Sequence, residues 1–173
     1  MKKDEEASRI LIDRPRINSI EVDLNRLSKL PVNTLGYQYV TFLNDNNITC
    51  DSRKPVKYVD DADLAYVLQR YREVHDFTHL LFGMRTTILG EVVIKWVEAI
   101  QTEIPMCIGA AILGPVRLYP KQRELFKNYY LDWAISNARR SKPILLVYFE
   151  ERWEQDIDEL RRELNILPPP RVN

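Results

Sequence analysis

The stretch DADLAYVLQRYREVHDFTHLLF, residues 61 to 82, decides how this chain folds. Within it Leu64, Leu68, Tyr71, His75, His79 and Phe82 recur every three or four residues, which places them on one stripe of an α-helix. Asp60 or Asp61 stands where an N-cap carboxylate belongs. The chain has only two histidines, and both fall on this stripe at i and i+4, side by side across one turn. Imidazoles so placed are a ready pair of metal ligands, and they are equally at home as packed core.

Asp76 follows directly on His75, and Glu91 follows His79 after eleven intervening residues. On an unbroken helix Glu91 would lie about 18 Å beyond His79, at a rise of about 1.5 Å per residue. It shares a metal only if the chain reverses, and Gly83 and Gly90, flanking residues 84 to 89, are where a helical hairpin would turn. A helix over residues 88 to 103 argues the other way. Its apolar stripe would be Leu89, Val92, Val93, Trp96, Val97 and Ile100, with Glu91 almost opposite and Lys95 one turn on as a solvated ion-pair partner. Only a helix packed on two sides, or an irregular start near Gly90, makes Glu91 a ligand. Imidazole and carboxylate donors suit zinc and ferrous iron alike. The H-D-x-x-H spacing is also one methylene short of the H-E-x-x-H zinc-protease helix, where the shorter aspartate would reach a metal-bound water poorly.

The run Arg70-Tyr71-Arg72-Glu73-Val74-His75-Asp76-Phe77-Thr78-His79, with Glu91, resembles the H-D-x2-H-x11-E motif of the fourth coenzyme Q (ubiquinone) biosynthesis protein family. The likeness extends to Leu35-Gly36 and its following helix, Val59-Asp60-Asp61, Gly114-Pro115 and Tyr148-Phe149-Glu150-Glu151-Arg152-Trp153, and so covers most of residues 30 to 167. The resemblance implies a mainly helical, metal-binding protein, peripheral on the matrix side of the mitochondrial inner membrane, within the multiprotein complex that makes coenzyme Q. It implies His75 and His79 as first ligands, with Asp76 and Glu91 as further ligands or as partners of the histidines. The activity it implies is removal of the C1 carboxylate from a polyprenylated 4-hydroxybenzoate, with or without hydroxylation. That would be a carboxy-lyase dependent on Zn2+, with Fe2+ as the alternative and with His75, His79 and Asp76 at the chemistry. The competing expectation is a non-catalytic, lipid-binding scaffold of the same complex, braced by a structural metal. Implied partners are the other coenzyme Q biosynthesis proteins, the prenylated lipid and the inner-membrane surface; whether the chain forms a homodimer is left open.

Composition is consistent with one helical domain. The 173 residues are 45% apolar, enough for one sizeable core, and 25 basic residues balance 25 acidic ones. That neutral balance gives no electrostatic case for nucleic acid. Cys50 and Cys107 are too few and too far apart for a disulfide framework or a thiolate site, which fits a reducing compartment. The acidic start Met1-Lys2-Lys3-Asp4-Glu5-Glu6 reads as neither a signal peptide nor an arginine-rich transit peptide.

Along the chain, residues 1 to 17 read as an arm of weak order, residues 18 to 167 as a single-domain helical bundle with a metal-binding hairpin, and residues 168 to 173 as a proline-rich tail. A helix is expected over residues 34 to 44, then a polar loop over residues 49 to 60. Residues 121 to 139 are expected to carry Leu125, Tyr129, Trp133 and Ser136 or Asn137 on one face. Phe149, Trp153, Ile157, Leu160 and Leu164 are expected to form one amphipathic helix, too acidic on its polar face for an anionic lipid surface. The one candidate strand is residues 144 to 148. The apolar run over residues 104 to 116 is shorter than the about 20 residues a bilayer span needs, and it reads as an ordinary buried helix, with a lipid groove at Gly109-Ala110-Ala111 as the alternative.

Overall fold

Asp61 starts the long helix: its Oδ1 accepts the Leu64 N–H at 2.9 Å, and 21 residues of α-helix follow. The computed structural model describes residue 1 and residues 4 to 172. Its helices are α1 (Glu5–Asp13), α2 (Leu24–Leu27), α3 (Leu35–Asp45), α4 (Ala62–Phe82), α5 (Ile88–Thr102), α6 (Pro105–Leu113), α7 (Pro120–Leu125), α8 (Leu131–Arg140) and α9 (Ile157–Glu163). Among the described residues there is no strand, only an isolated antiparallel bridge between Thr34 and Asp156, so the fold is all-α as expected. Residues 144 to 146 of the candidate strand form a 3-10 turn instead.

Burial on α4 is wider than a stripe. Leu64 is 62% exposed, whereas from Gln69 to Phe82 every residue but Arg72 and Leu80 is buried. The charges on this stretch are therefore paired. Arg70 reaches the Glu150 carboxylate and donates to the Val147 carbonyl at 2.9 Å. Glu73 accepts from Arg16 Nη2 at 2.7 Å, from the Ile17 N–H at 3.0 Å and from Gln69 Nε2 at 3.0 Å. A helix buried all round shows little amphipathic pattern, which is why the stripe over residues 64 to 82 understates how deep this one runs.

The residues group into two compact units, Met1–Phe77 with Ile144–Leu160, and Thr78–Pro143 with Arg161–Asn173. In the first, Phe77 is stacked between Tyr39 and Phe149, with ring centroids 4.4 and 4.3 Å away. Residues 5 to 13 of the expected weakly ordered arm are helix α1, capped by Asp4, with Ala7 and Ile10 fully buried. Glu6 ties this helix down by accepting the Tyr148 N–H at 2.7 Å and contacting Arg152. The single C-terminal helix expected from Phe149 onward is broken. A 3-10 turn ends at Glu151, and α9 begins only after Asp156, whose Oδ1 accepts the N–H groups of Asp158 and Glu159, each at 2.9 Å.

In the second unit α5 packs against α6 and α8. The expected face over residues 121 to 139 is corrected by a π-helical turn at Phe126–Tyr130. Its wider turn shifts the register, so Phe126, Ala134, Asn137 and Ala138 are buried while Tyr129 is 47% exposed. Asn137 then holds the tail, donating to the Leu167 carbonyl at 3.0 Å and accepting its N–H at 2.9 Å. The run over residues 104 to 116 is not the buried helix expected, because Met106, Ile112, Leu113 and Val116 are 57 to 74% exposed.

Candidate metal centre

Gly83 closes α4 in the left-handed region, at φ 66°. The N–H groups of Gly83 and Met84 reach back to the carbonyls of Leu80 and His79, at 3.3 and 3.0 Å, which is the Schellman pattern of a helix stop. Residues 84 to 87 turn the chain, and Thr87 caps α5 by accepting the Gly90 N–H on its hydroxyl at 3.2 Å. Gly90 is required by space. A Cβ there would stand 1.8 Å from the Arg85 carbonyl oxygen, so only glycine lets the turn fold this tightly on the first turn of α5.

That turn brings Glu91 back to α4. Its Oε1 lies 3.3 Å from His79 Nε2, where an unbroken helix would leave the two residues about 18 Å apart. His75 sits one turn earlier on the same uninterrupted helix, and one ligand atom from each of His75, His79 and Glu91 lies within 4.8 Å of the others. Ligands at about 2.05 Å on a tetrahedral ion stand about 3.3 Å apart, so the spacing of His79 and Glu91 accommodates a shared cation as well as a direct ion pair.

The His79 ring is oriented from behind, its Nδ1 lying 3.0 Å from the Met84 carbonyl oxygen. A carbonyl only accepts, so Nδ1 carries a hydrogen, and Nε2 is the ring nitrogen that faces the Glu91 carboxylate. Positive charge joins two such groups, either as a proton on Nε2 or as a bound cation, and an imidazole pair with a carboxylate is a donor set that could hold a divalent ion. Met84 contributes only a main-chain oxygen, and no side-chain pattern in the sequence announces it.

Glu91 reaches His79 because α5 is buried on two sides. Val92, Val93 and Val97 form the expected face, while Ile94 and Glu98 are buried as well, at 0 and 3% exposure. Lys95, the alternative partner, donates to Glu98 Oε2 at 2.5 Å. Glu91 keeps a 42% exposed side chain beside a wholly buried His79 ring, so the group has one open side. Asp76 is placed differently. Its Oδ1 accepts from Arg53 Nη2 at 2.8 Å, and the carboxylate stands with the loop over residues 49 to 60. Tyr39 lies within reach of that charge; its phenol is pushed well above the ordinary range, first by burial and then by Asp76.

The sequence matches the family described as coenzyme Q (ubiquinone) biosynthesis protein Coq4 over residues 1–170. A protein named ubiquinone biosynthesis protein COQ4 homolog, mitochondrial, from Aedes aegypti is 55% identical over 166 residues, covering 96% of this chain and 61% of the relative. The protein of the same name from Rattus norvegicus is 52% identical over 171 residues, covering 99% of this chain and 64% of the relative. The chain thus spans about three fifths of the length of the curated relatives it matches. A crystal structure from Nostoc punctiforme, of a protein assigned to ubiquinone biosynthesis, superimposes with a TM-score of 0.76 at 22% identity, covering 94% of this chain and 76% of that one. At that identity the likeness bears on the fold alone.

Proposed function

The chain belongs to the coenzyme Q (ubiquinone) biosynthesis protein Coq4 family, and from that premise we propose that it removes the C1 carboxylate of a polyprenylated 4-hydroxybenzoate at a divalent-metal centre held by His75, His79 and Glu91. The observation that carries the reading is the convergence of His75, His79 and Glu91, with the His79 ring held against the Met84 carbonyl. With Nδ1 donating to Met84, Nε2 is left facing the Glu91 carboxylate at 3.3 Å, a pair of donor atoms that a divalent cation could share.

In the reaction the bond between C1 and its carboxylate breaks, CO2 leaves, and the electron pair stays on C1, which takes a proton while the para hydroxyl feeds electrons into the ring. A bound divalent cation would supply Lewis acidity toward the substrate oxygens, with zinc sufficient for simple loss of CO2; hydroxylation at C1 would need ferrous iron, dioxygen and a two-electron donor that takes the second oxygen atom to water. The half-exposed Glu91 side leaves an approach for substrate, which a structural site, closed all round, would lack. His75 and His79 serve as the anchored ligands. Relay of a proton by Asp76 would require it to leave Arg53, so its role here is to tie the loop over residues 49 to 60 to α4, directly behind His75.

Burial of both histidines, at 5 and 1% exposure, favours one other reading: the metal braces the turn between α4 and α5, and the domain presents the lipid to neighbouring coenzyme Q biosynthesis proteins. The named relatives are mitochondrial, and no helix among the described residues is long and apolar enough to cross a membrane. The proposed location is peripheral, at the matrix side of the inner membrane. Single-turnover CO2 release from a prenylated hydroxybenzoate tests the assignment. Release by the unmutated chain that disappears in His79→Ala is expected. Release that survives His79→Ala sinks the catalytic reading, and loss of complex assembly with a normal fold would put the bracing role in its place.

A further inference from the structure

Helix α6 turns half of its circumference to solvent, and that half is apolar. At about 100° per residue, Ile108, Ile112, Pro105, Gly109, Leu113 and Met106 fall in succession across one arc, while buried Cys107 and Ala111 occupy the other. Ile112 and Leu113 are 63 and 67% exposed, and a Cβ added at Gly109 would meet nothing within 4 Å. The exposed apolar surface continues past the helix into Val116 and Tyr119, at 74 and 69% exposure. Single exposed apolar residues are ordinary; six on one helix and the turn that follows mark an interaction surface.

Charge on the same segment selects the partner. The chain as a whole is neutral, yet residues 105 to 129 carry Arg117, Lys121, Arg123 and Lys127 against Glu124 alone, all of them exposed. Arg123 is also fastened to this segment, its guanidinium donating to the Leu118 carbonyl at 3.2 Å. In a two-fold contact the patch would face itself and oppose cation to cation, which disfavours a second copy. Exposed aliphatic side chains that can enter hydrocarbon, followed in the same segment by exposed Tyr119 and exposed cations, are the features that bind an anionic bilayer surface.

We propose that the outer face of α6, with Val116 and Tyr119, seats the chain on an anionic lipid bilayer. This rests on the reading above only in that a polyprenylated substrate must be drawn from a membrane, and the test needs neither substrate nor metal. The chain is centrifuged with phosphatidylcholine vesicles, with and without phosphatidylserine. The unmutated chain is expected to pellet with the phosphatidylserine vesicles and to be released by salt. The double variant Ile112→Asp, Leu113→Asp, both highly exposed and so compatible with an intact fold, should bind about tenfold more weakly or worse. The pair Arg117→Glu, Lys121→Glu, both exposed, should lose the preference for phosphatidylserine while keeping its far-ultraviolet spectrum.

Equal recovery of the unmutated chain in the supernatant with both vesicle types overturns the proposal, as does unchanged binding by both double variants. A dimer in solution that becomes monomeric in Ile112→Asp, Leu113→Asp, with no vesicle binding, would give the face to a second copy. Failure of the decarboxylation assay would leave vesicle binding untouched, and the reverse holds too.

Discussion

Replacing Gly90 with alanine should damage the metal centre without touching a ligand. The added Cβ would stand 1.8 Å from the Arg85 carbonyl oxygen, where real Cβ contacts essentially never fall below 3.0 Å, so the turn and the first residues of α5 must separate by about 1.2 Å. Either partner in that separation is costly to the site. Arg85 adjoins Met84, whose carbonyl aligns the His79 ring, and Gly90 adjoins Glu91 itself. Overpacking of this kind costs about 1–3 kcal/mol, or roughly 2–12 °C of melting temperature for a chain of this length. Misplacing a group that orients a ligand typically costs about 10- to 100-fold in metal affinity. Competition for zinc against a chromophoric chelator, together with thermal melting of the metal-free protein, reads both quantities. Gly109→Ala is the matched control: its Cβ meets nothing within 4 Å, so it should keep full metal affinity and melt no lower. If Gly90→Ala binds zinc as tightly as the unmutated chain and melts with it, the account of the turn is wrong.

Other expectations follow from the same geometry. His75→Ala and His79→Ala should lose bound metal by mass spectrometry, while Glu91→Ala, removing the exposed member of the proposed ligand set, retains more of it. Asp76→Asn should keep the metal but free the loop over residues 49 to 60, seen as faster tryptic cleavage after Arg53; loss of metal with an unchanged cleavage rate would return Asp76 to the ligand set. Arg70→Met strips a fully buried cation from Glu150 and should cost about 3–5 kcal/mol in denaturant unfolding, partly recovered by adding Glu150→Gln. Burial pushes the Tyr66 phenol up to about 12, above the ordinary value of about 10. Its folded form holds the proton more tightly, so this contribution is whole below pH about 10 and is lost as pH rises toward 12, to be read from tyrosinate absorbance alongside unfolding.

Much of the site could be read before the fold was known, because two imidazoles at i and i+4 need only one turn of helix to meet. Gly83 and Gly90 were legible for a related reason: glycine at a break signals a backbone that other residues resist. Glu91 was harder. A single apolar stripe on α5 put it in solvent, and the second buried face rests on Ile94 and on Glu98, a carboxylate that pattern reading assigns to water. Asp76 was placed with its motif neighbours, yet the next position on a helix is rotated by about 100°, which turned it to Arg53. The Met84 carbonyl and the π turn at Phe126–Tyr130 are backbone events that leave no mark in side-chain periodicity. The apolar run at α6 misled for the opposite reason: hydrophobicity says what a segment would bury, and not whether this chain alone buries it.

Neither of the two packing units is a continuous stretch of sequence, since the chain passes between them after residues 77, 143 and 160. During synthesis the first unit therefore waits for residue 160, and the second needs Leu164 and Ile166, both buried, from beyond it. No nascent piece can finish early and shelter. A premature stop shortly after residue 160 would thus leave α5, α6 and α8 without their closing segment, and quality control would meet an incompletely packed chain although every candidate metal ligand had already been made.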